Sequence, residues 1–353
     1  MHHVDDYLKK LVEAKGSDLH LVSGDPPRIR VHGDLQAMGS TPLTRQELGD
    51  FMAEIMPRNA RESFEREDGA DFAYAIEGVA RFRVNLFRHV NGLAAVFRAI
   101  PSQSFTLAGL GMPSVIRSLC MQRHGLVLVT GKTGSGKTTT LAAMVNDINE
   151  RRRGHIITIE DPIEFVHERK RCLISQRQVG LHTKGFSAAL RSALREDPDV
   201  ILVGEMRDLE TISLAVTAAE TGILVLGTLH TNGAAATVDR IINAFPAMKQ
   251  AQIRAMLSTS LRGVISQQLV RRQDGQGRLA AVEILVNTPA IANLLREGKT
   301  EQLLGTMQSG ALMGMQTMDG ALRRLLDAGL ITGREAYHQA IGKAEFEAVR
   351  EQD

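Results

Sequence analysis

Residues 125–149 have the sequence GLVLVTGKTGSGKTTTLAAMVNDIN, and this stretch decides the fold of the chain. The apolar run Gly125–Thr130 predicts a buried strand, and apolar residues at helical spacing predict a helix over Thr138–Asn149. The loop between them, Gly131–Thr138, matches the pattern GxxxxGK[ST] in the strand-to-helix context that a P-loop requires. The sequence therefore predicts an α/β P-loop domain that binds a nucleoside triphosphate.

The chemistry of the P-loop gives its residues separate roles. Its glycines let backbone amides curve around a phosphate, and the helix N-terminus adds a favourable partial charge. Lys137 is expected to reach the β- and γ-phosphates, and the Thr138 hydroxyl to ligate magnesium. We therefore predict that ATP and Mg2+ bind here. The predicted nucleotide-binding residues are Gly131, Thr133, Gly134, Ser135, Gly136, Lys137, Thr138 and Thr139.

Apolar runs alternate with helical segments beyond the P-loop. His155–Ile159, Val200–Val203 and Ile223–Thr228 are predicted strands. This alternation predicts a mostly parallel sheet that is covered by helices. Beyond Ala280 the sequence predicts mainly helices, such as Ala290–Arg296.

Carboxylates follow two of these strands at the edge where parallel sheets place their active sites. The segment TIEDPIE, residues 158–164, contains three carboxylates, one of which could act as a general base. The run ending in Gly204 and Glu205 resembles a Walker B strand with glycine in place of the usual aspartate. Glu205 is therefore expected to serve the magnesium ion, through a water molecule.

His230 ends the next apolar strand, in the segment GTLHT. At the same edge of the sheet it could sense the γ-phosphate or bond a catalytic carboxylate, although a lone histidine is more often structural.

The first hundred residues predict a separate α/β domain. Thr44 and Glu47 have the spacing of a capping box that begins a helix. In the predicted strand Ala80–Phe87, arginines alternate with apolar residues, so one face is core and the other carries guanidinium groups. Arg83 on this face, and Arg98 on the neighbouring strand, are candidates to stabilise the charge of phosphoryl transfer. A solvated face is the equally open alternative.

These patterns predict three parts: an N-terminal domain over residues 1–100, a linker or hinge over 101–113, and an ATPase domain over 114–353. The chain has 353 residues, of which 43% are hydrophobic, so both domains can form a core. Its net charge of +2 is too small to argue for nucleic acid as the main partner. No stretch predicts a membrane span or signal peptide, so we expect a cytoplasmic protein.

The order and spacing of these motifs resemble the secretion ATPase superfamily of type II and type IV machines. Among its members the sequence is most similar to the type IV pilus retraction ATPases, or to their accessory paralogues. Further matching phrases are SDLHL at 17–21, ARFRVN at 80–85, SALREDPD at 192–199, GEMRDLET at 204–211, AIANLLREGK at 290–299 and GMQT at 314–317. The resemblance covers about residues 5–340.

The resemblance implies a PAS-like N-terminal domain, a RecA-like ATPase domain and a homo-hexameric ring. It implies Glu164 as the general base, Glu205 as the Walker B glutamate, and Arg83 and Arg98 as phosphate-facing cations. It also implies a motor that removes pilin subunits and thereby powers twitching motility. Such a motor would lie against the inner membrane at the pilus base, where it would contact a platform protein without spanning the membrane.

Two positions depart from the family pattern. Ile223 replaces the second histidine of the His box, and Ala292 replaces an arginine of the retraction motif, which leaves an accessory retraction ATPase open. Extension and type II secretion ATPases are rivals, but they usually carry a tetracysteine zinc site, which two cysteines cannot form. A RecA-like nucleic-acid motor and a regulator that binds nucleotide without hydrolysis are further alternatives.

Overall fold

The computed structural model describes residues 2–31, 33–100 and 105–351. The chain divides into two compact units, Met1–Gln103 and Ser104–Asp353. Of the predicted linker, residues 101–104 lie outside the described part of the chain. Residues 105–113 pack with the second unit, where Leu107 is buried in a core cluster. The role of this segment as a hinge stays a prediction.

The N-terminal unit is built on one antiparallel sheet. Its strands are β1 Asp18–Val22, β2 Arg28–Val31, β3 Asp34–Ala37, β4 Gly69–Ile76, β5 Ala80–His89 and β6 Gly92–Ile100. Its helices are α1 Asp5–Glu13, α2 Arg45–Ile55 and α3 Arg58–Glu67. The strand order is β3-β2-β1-β6-β5-β4. The first and last strands along this unit, β1 and β6, are therefore neighbours at the centre of the sheet.

Local sequence accounts for two features of this unit. Phe82, Val84 and Leu86 of β5 are fully buried, and the residues between them are exposed, as the alternation predicted. Helix α2 begins at a capping box in which Thr44 and Glu47 each accept the other's backbone N–H. Both predictions are confirmed.

The second unit contains a seven-stranded sheet. Its strands are β7 Gly125–Thr130, β8 His155–Glu160, β9 Leu173–Gln178, β10 Val200–Val203, β11 Leu224–Leu229, β12 Leu261–Arg271 and β13 Arg278–Val286. The order is β13-β12-β7-β11-β10-β8-β9. Every neighbouring pair is parallel except β12 and β13. The predicted mostly parallel sheet is therefore confirmed.

Helices cover both faces of this sheet, around two hydrophobic clusters. They are α4 Val115–Cys120, α5 Lys137–Arg151, α6 Phe186–Ala193, α7 Leu209–Glu220, α8 Ala234–Asn243, α9 Ala247–Ser260, α10 Pro289–Glu297, α11 Leu303–Ser309, α12 Met318–Asp327 and α13 Gly333–Gln339. The prediction of helices beyond Ala280 is wrong as far as Val286, because that segment pairs with β12 as a strand.

Within the described residues, no helix combines the length and the apolar character that crossing a bilayer requires.

Candidate nucleotide-binding site

The P-loop connects β7 at the centre of the sheet to α5. All six residues of β7 are buried, and α5 begins at Lys137, directly after the loop. The first-turn amides of a helix have no acceptor within the helix, so those of α5 are available to a phosphate. Gly131 and Gly136 have φ of +140° and +85°, which is backbone that favours glycine.

Strand β12 explains why the loop also needs glycine for space. A Cβ at Gly131 would lie 2.3 Å from the carbonyl oxygen of Gln267, and one at Gly136 would lie 2.8 Å from its Nε2. That Nε2 donates to the Ser135 carbonyl at 2.7 Å, and Oε1 accepts from the Thr140 hydroxyl at 2.7 Å. The sequence reasoning missed Gln267, because a polar residue in the middle of a strand belongs to no motif that it used.

Lys137 folds back over the loop that precedes it. Its Nζ donates to the carbonyls of Gly131 at 2.8 Å and Lys132 at 3.1 Å. Burial lowers the pKa of the Lys137 ammonium, while the charges of Glu205 and Glu164 act in the opposite direction. Both carboxylates therefore lie close enough to act on this side chain, and the ammonium is suited to bind an anion.

One cavity of about 530 Å³ brings most of the predicted residues together. Its lining includes Thr133, Gly134, Gly136, Lys137, Thr138, Thr139, Glu164, Glu205 and His230. Two further cations line it that sequence reasoning did not nominate, Arg207 and Arg278. Arg207 stands in the GEMRDLET phrase, so its place after the Walker B glutamate was the signal that could have found it. Such a cavity can hold a phosphorylated ligand.

The two glutamates of the TIEDPIE segment have different surroundings. Glu160 is buried, and its Oε1 accepts hydrogen bonds from the Thr158 hydroxyl at 2.5 Å and from Gln176 Nε2 at 3.2 Å. Burial raises the pKa of Glu160. Glu164 is exposed at the cavity, and no side-chain hydrogen bond to it is found among the described residues. Glu164 is therefore free to contact a water molecule in the cavity, and so is Asp161 of the same segment, which is exposed and also lines the cavity.

Glu205, His230 and Arg207 form a cluster at the ends of β10 and β11. His230 Nε2 lies 3.1 Å from Glu205 Oε1, and the Glu205 side chain is only 18% exposed. Arg207 Nε donates to the same oxygen. Of the two roles that the sequence left open for His230, the geometry corresponds to contact with a carboxylate. A Cβ at Gly204 would lie 3.0 Å from the Ile159 carbonyl, which explains the glycine before Glu205.

Arg83 and Arg98 lie in the N-terminal unit, directly opposite each other on β5 and β6. Arg98 Nε donates to Asp18 at 2.9 Å, and Arg83 Nε lies 3.5 Å from Asp71. The Arg83 side chain is 47% exposed and the Arg98 side chain 68%, whereas the Asp18 carboxylate is buried. Their predicted action on a nucleotide stays a prediction.

The family model described as type II/IV secretion system protein matches residues 1–311. The chain belongs to this family. It is 54% identical over 324 residues to the type IV pilus retraction ATPase PilT of Pseudomonas aeruginosa, covering 92% of this chain and 94% of that protein. It is 41% identical over 333 residues to the type IV pilus ATPase PilU of the same organism, covering 94% and 87%.

A solved structure is similar over nearly the whole chain. The crystal structure of the pilus retraction motor PilT with bound ADP aligns with a TM-score of 0.92 and 42% identity, covering 99% of each chain. The resemblance to the retraction ATPases and the two-domain α/β fold are thereby confirmed. The family is one of ATPases, and the identity to PilT exceeds the identity to PilU.

Proposed function

We propose that this protein is a motor that hydrolyses ATP to remove pilin subunits from a type IV pilus. The observation that carries the proposal is the convergence of the P-loop, Glu164, Glu205 and His230 on one cavity in a chain 54% identical to a pilus retraction ATPase. The P-loop motif and the geometry of the cavity support ATP hydrolysis. The similarity to PilT supports the type IV pilus as the structure on which the motor acts.

The oxygen donors at the cavity fit a magnesium ion, which prefers hard oxygen ligands and retains several waters. Thr138 would hold the ion through its hydroxyl, and Glu205 through a water molecule. When bound, the ion would neutralise charge on the phosphate oxygens. Lys137 would exchange its contacts with the loop carbonyls for the β- and γ-phosphates.

Glu164 is the residue that we assign as general base. It lies at the cavity, its charge acts on Lys137, and its side chain is not committed to another group among the described residues. Glu160 is unsuited to the role, because its oxygen is already hydrogen-bonded and burial favours its protonated form. His230 would orient Glu205, and Arg207 and Arg278 would add positive charge at the cavity.

Hydrolysis becomes mechanical work only when closure of one site moves a neighbour, so the proposal includes a hexameric ring. Helix α10 offers a surface for coupling to the pilus base. Ile291 and Leu295 of the AIANLLREGK segment are buried, and Gly298 ends the helix in left-handed backbone. Asn293 and Arg296 are exposed on the same helix and are available to a platform protein at the inner membrane.

Deletion of the gene in its own cell tests the proposal. Loss of the protein is expected to give hyperpiliated cells that do not twitch, and the wild-type gene should restore retraction. A gene with Lys137→Ala should be expressed and fail to restore it. Loss of pili on deletion would instead favour an extension motor, and weakened retraction with normal piliation would favour an accessory role beside another motor.

The ring is tested by light scattering of the purified protein with ATP analogue and Mg2+. A mass of six chains is expected. A monomer under those conditions would contradict the ring. A separate ATPase assay with added DNA tests the alternative of a nucleic-acid motor, which stimulation of hydrolysis by DNA would favour.

A further inference from the structure

Gln267 is a buried polar residue in the middle of β12. It is 2% exposed, and apolar residues such as Ile265 and Val270 lie on either side of it along the strand. Burying an amide is favourable only when its donor and acceptor are both satisfied. The partners of Gln267 are therefore informative about why it is there.

Both partners belong to the nucleotide-binding element. The Ser135 carbonyl, which accepts from Gln267 Nε2, lies inside the P-loop, and the Thr140 hydroxyl, which donates to Oε1, lies in the first turn of α5. One side chain thus ties the loop and the helix to β12. The main chain of Gln267 also limits the approach of Gly131 at the other end of the loop.

We propose that Gln267 is a positioning residue that sets the shape of the P-loop and thereby the affinity for nucleotide. In a trans peptide unit the carbonyl and the following amide point in opposite directions. The bond that draws the Ser135 carbonyl towards β12 therefore turns the Gly136 N–H away from β12. An amide turned in this way is preorganised to donate to a phosphate, which lowers the cost of binding.

This role rests on the proposed function of the cavity, and nucleotide binding is its direct readout. Gln267→Leu removes the donor and the acceptor with little change in volume. Binding of a fluorescent ADP should weaken about tenfold to a hundredfold, since a buried partner is left unsatisfied. The loop contacts phosphate in both the ground and transition states, so KM for ATP should rise while kcat changes less.

Gln268→Leu is the matched control. Gln268 is the next residue of the same strand, points to the other face of the sheet, and makes no side-chain hydrogen bond among the described residues. Its variant should bind ADP like wild type. Equal weakening by Gln267→Leu and Gln268→Leu would overturn the proposal, because the loss would then reflect general damage to β12.

Thr140→Val and Thr140→Ser give a second test, and as single variants they do not depend on the folding of a Gln267 variant. Valine should weaken ADP binding about threefold, since the Nε2 bond to Ser135 remains, and serine should leave binding unchanged. In the Gln267→Leu background, Thr140→Val should cause no further loss. Additive losses, or Thr140→Val binding normally, would overturn the proposal.

The wild-type protein separates this proposal from the one on which it rests. If the wild type binds neither ADP nor ATP, the proposed function fails. If the wild type binds both and Gln267→Leu binds them equally well, with an unchanged melting temperature, only the role of Gln267 fails.

Discussion

The two sheets of this protein present charge in different ways. At the carboxyl edge of the C-terminal sheet, Glu164, Glu205 and His230 come from three separate segments and meet at one cavity. On the N-terminal sheet, Arg83 and Arg98 lie opposite each other on adjacent strands, and each is near its own carboxylate. Convergence of groups from distant segments points to chemistry, whereas alternation along a strand establishes only which face is exposed.

The largest expected effect on ATP hydrolysis comes from a substitution at the P-loop cavity. Lys137→Ala should reduce ATP hydrolysis about a thousandfold, because it removes a cation placed against the developing charge. Steady-state phosphate release measures it. Lys132→Ala is the matched control, since Lys132 is exposed in the same loop and does not line the cavity. Equal activity in the two variants would show that the P-loop lysine has been misassigned.

Glu164→Gln should reduce hydrolysis about a hundredfold, as expected for loss of a general base, and keep ADP binding. Glu160→Gln should have a much smaller effect on turnover, because glutamine can also accept the hydrogen bond from Thr158. Single-turnover hydrolysis and ADP titration on both variants measure these effects. A large loss in Glu160→Gln with normal turnover in Glu164→Gln would reverse the assignment.

The pH dependence of stability should distinguish the same two glutamates. The pKa of Glu160 is raised in the folded protein, so its contribution to stability is greatest at low pH and is lost as pH rises through the folded pKa. Glu160→Gln removes this loss. Relative to wild type, the variant should therefore gain stability in urea unfolding as pH increases from 5 to 8. A difference in the free energy of unfolding between variant and wild type that stays constant across that range would contradict the raised pKa.

Sequence could predict the strand–loop–helix unit well, because its signals are local. The strand Gly125–Thr130 was predicted with the bounds that the structure has, and the capping box of α2 was recognised from two residues. Of the same sheet, strands β9, β12 and β13 were missed, and part of β13 was taken as helix. The polar residues of β12 interrupt the apolar pattern, since Gln267 is buried for its bonds to the P-loop and not for its hydrophobicity.

The difference between local sequence signals and contacts that form only in the folded protein also applies to the candidate site. Motif residues could be nominated because the carboxyl ends of parallel strands share one edge of the sheet. The contact of His230 with Glu205 depends on side-chain direction at the ends of two strands, which strand order alone does not fix. Arg207 and Arg278 come from segments whose approach to the cavity follows from tertiary packing, whereas the sequence had suggested catalytic arginines only on β5 and β6.

A test of the N-terminal sheet is the effect of its arginines on catalysis. Arg83→Ala and Arg98→Ala should each lower ATP hydrolysis about tenfold. Arg83→Ala should leave the melting temperature nearly unchanged, because its ion pair with Asp71 is exposed and exposed pairs contribute little stability. Arg98→Ala should also lower the melting temperature, because it leaves the buried Asp18 carboxylate without its cation. Arg88→Ala is the contrasting control. Arg88 bonds Asp68 and lies 4.7 Å from the ring centroid of Phe64, so its loss should lower stability and spare the rate. A loss of rate in Arg83→Ala that runs parallel to a loss of melting temperature would favour a structural role for this face.

The smallest expected effect concerns only the folding of the N-terminal unit. Thr44 accepts the Glu47 amide at 3.2 Å, and Glu47 accepts the Thr44 amide at 2.8 Å, at the beginning of α2. Thr44→Ala leaves the Glu47 amide without its cap and should destabilise this unit by about 1 kcal/mol. Urea unfolding, monitored by hydrogen exchange of the α2 amides, measures the change in the free energy of unfolding. Thr41→Ala, in the exposed segment before the helix, should have no effect.

If the N-terminal unit acts on the nucleotide only through its arginines, Thr44→Ala should leave kcat at the wild-type value under native conditions. A fall in kcat without loss of folded protein would mean that α2 itself takes part in the motor cycle.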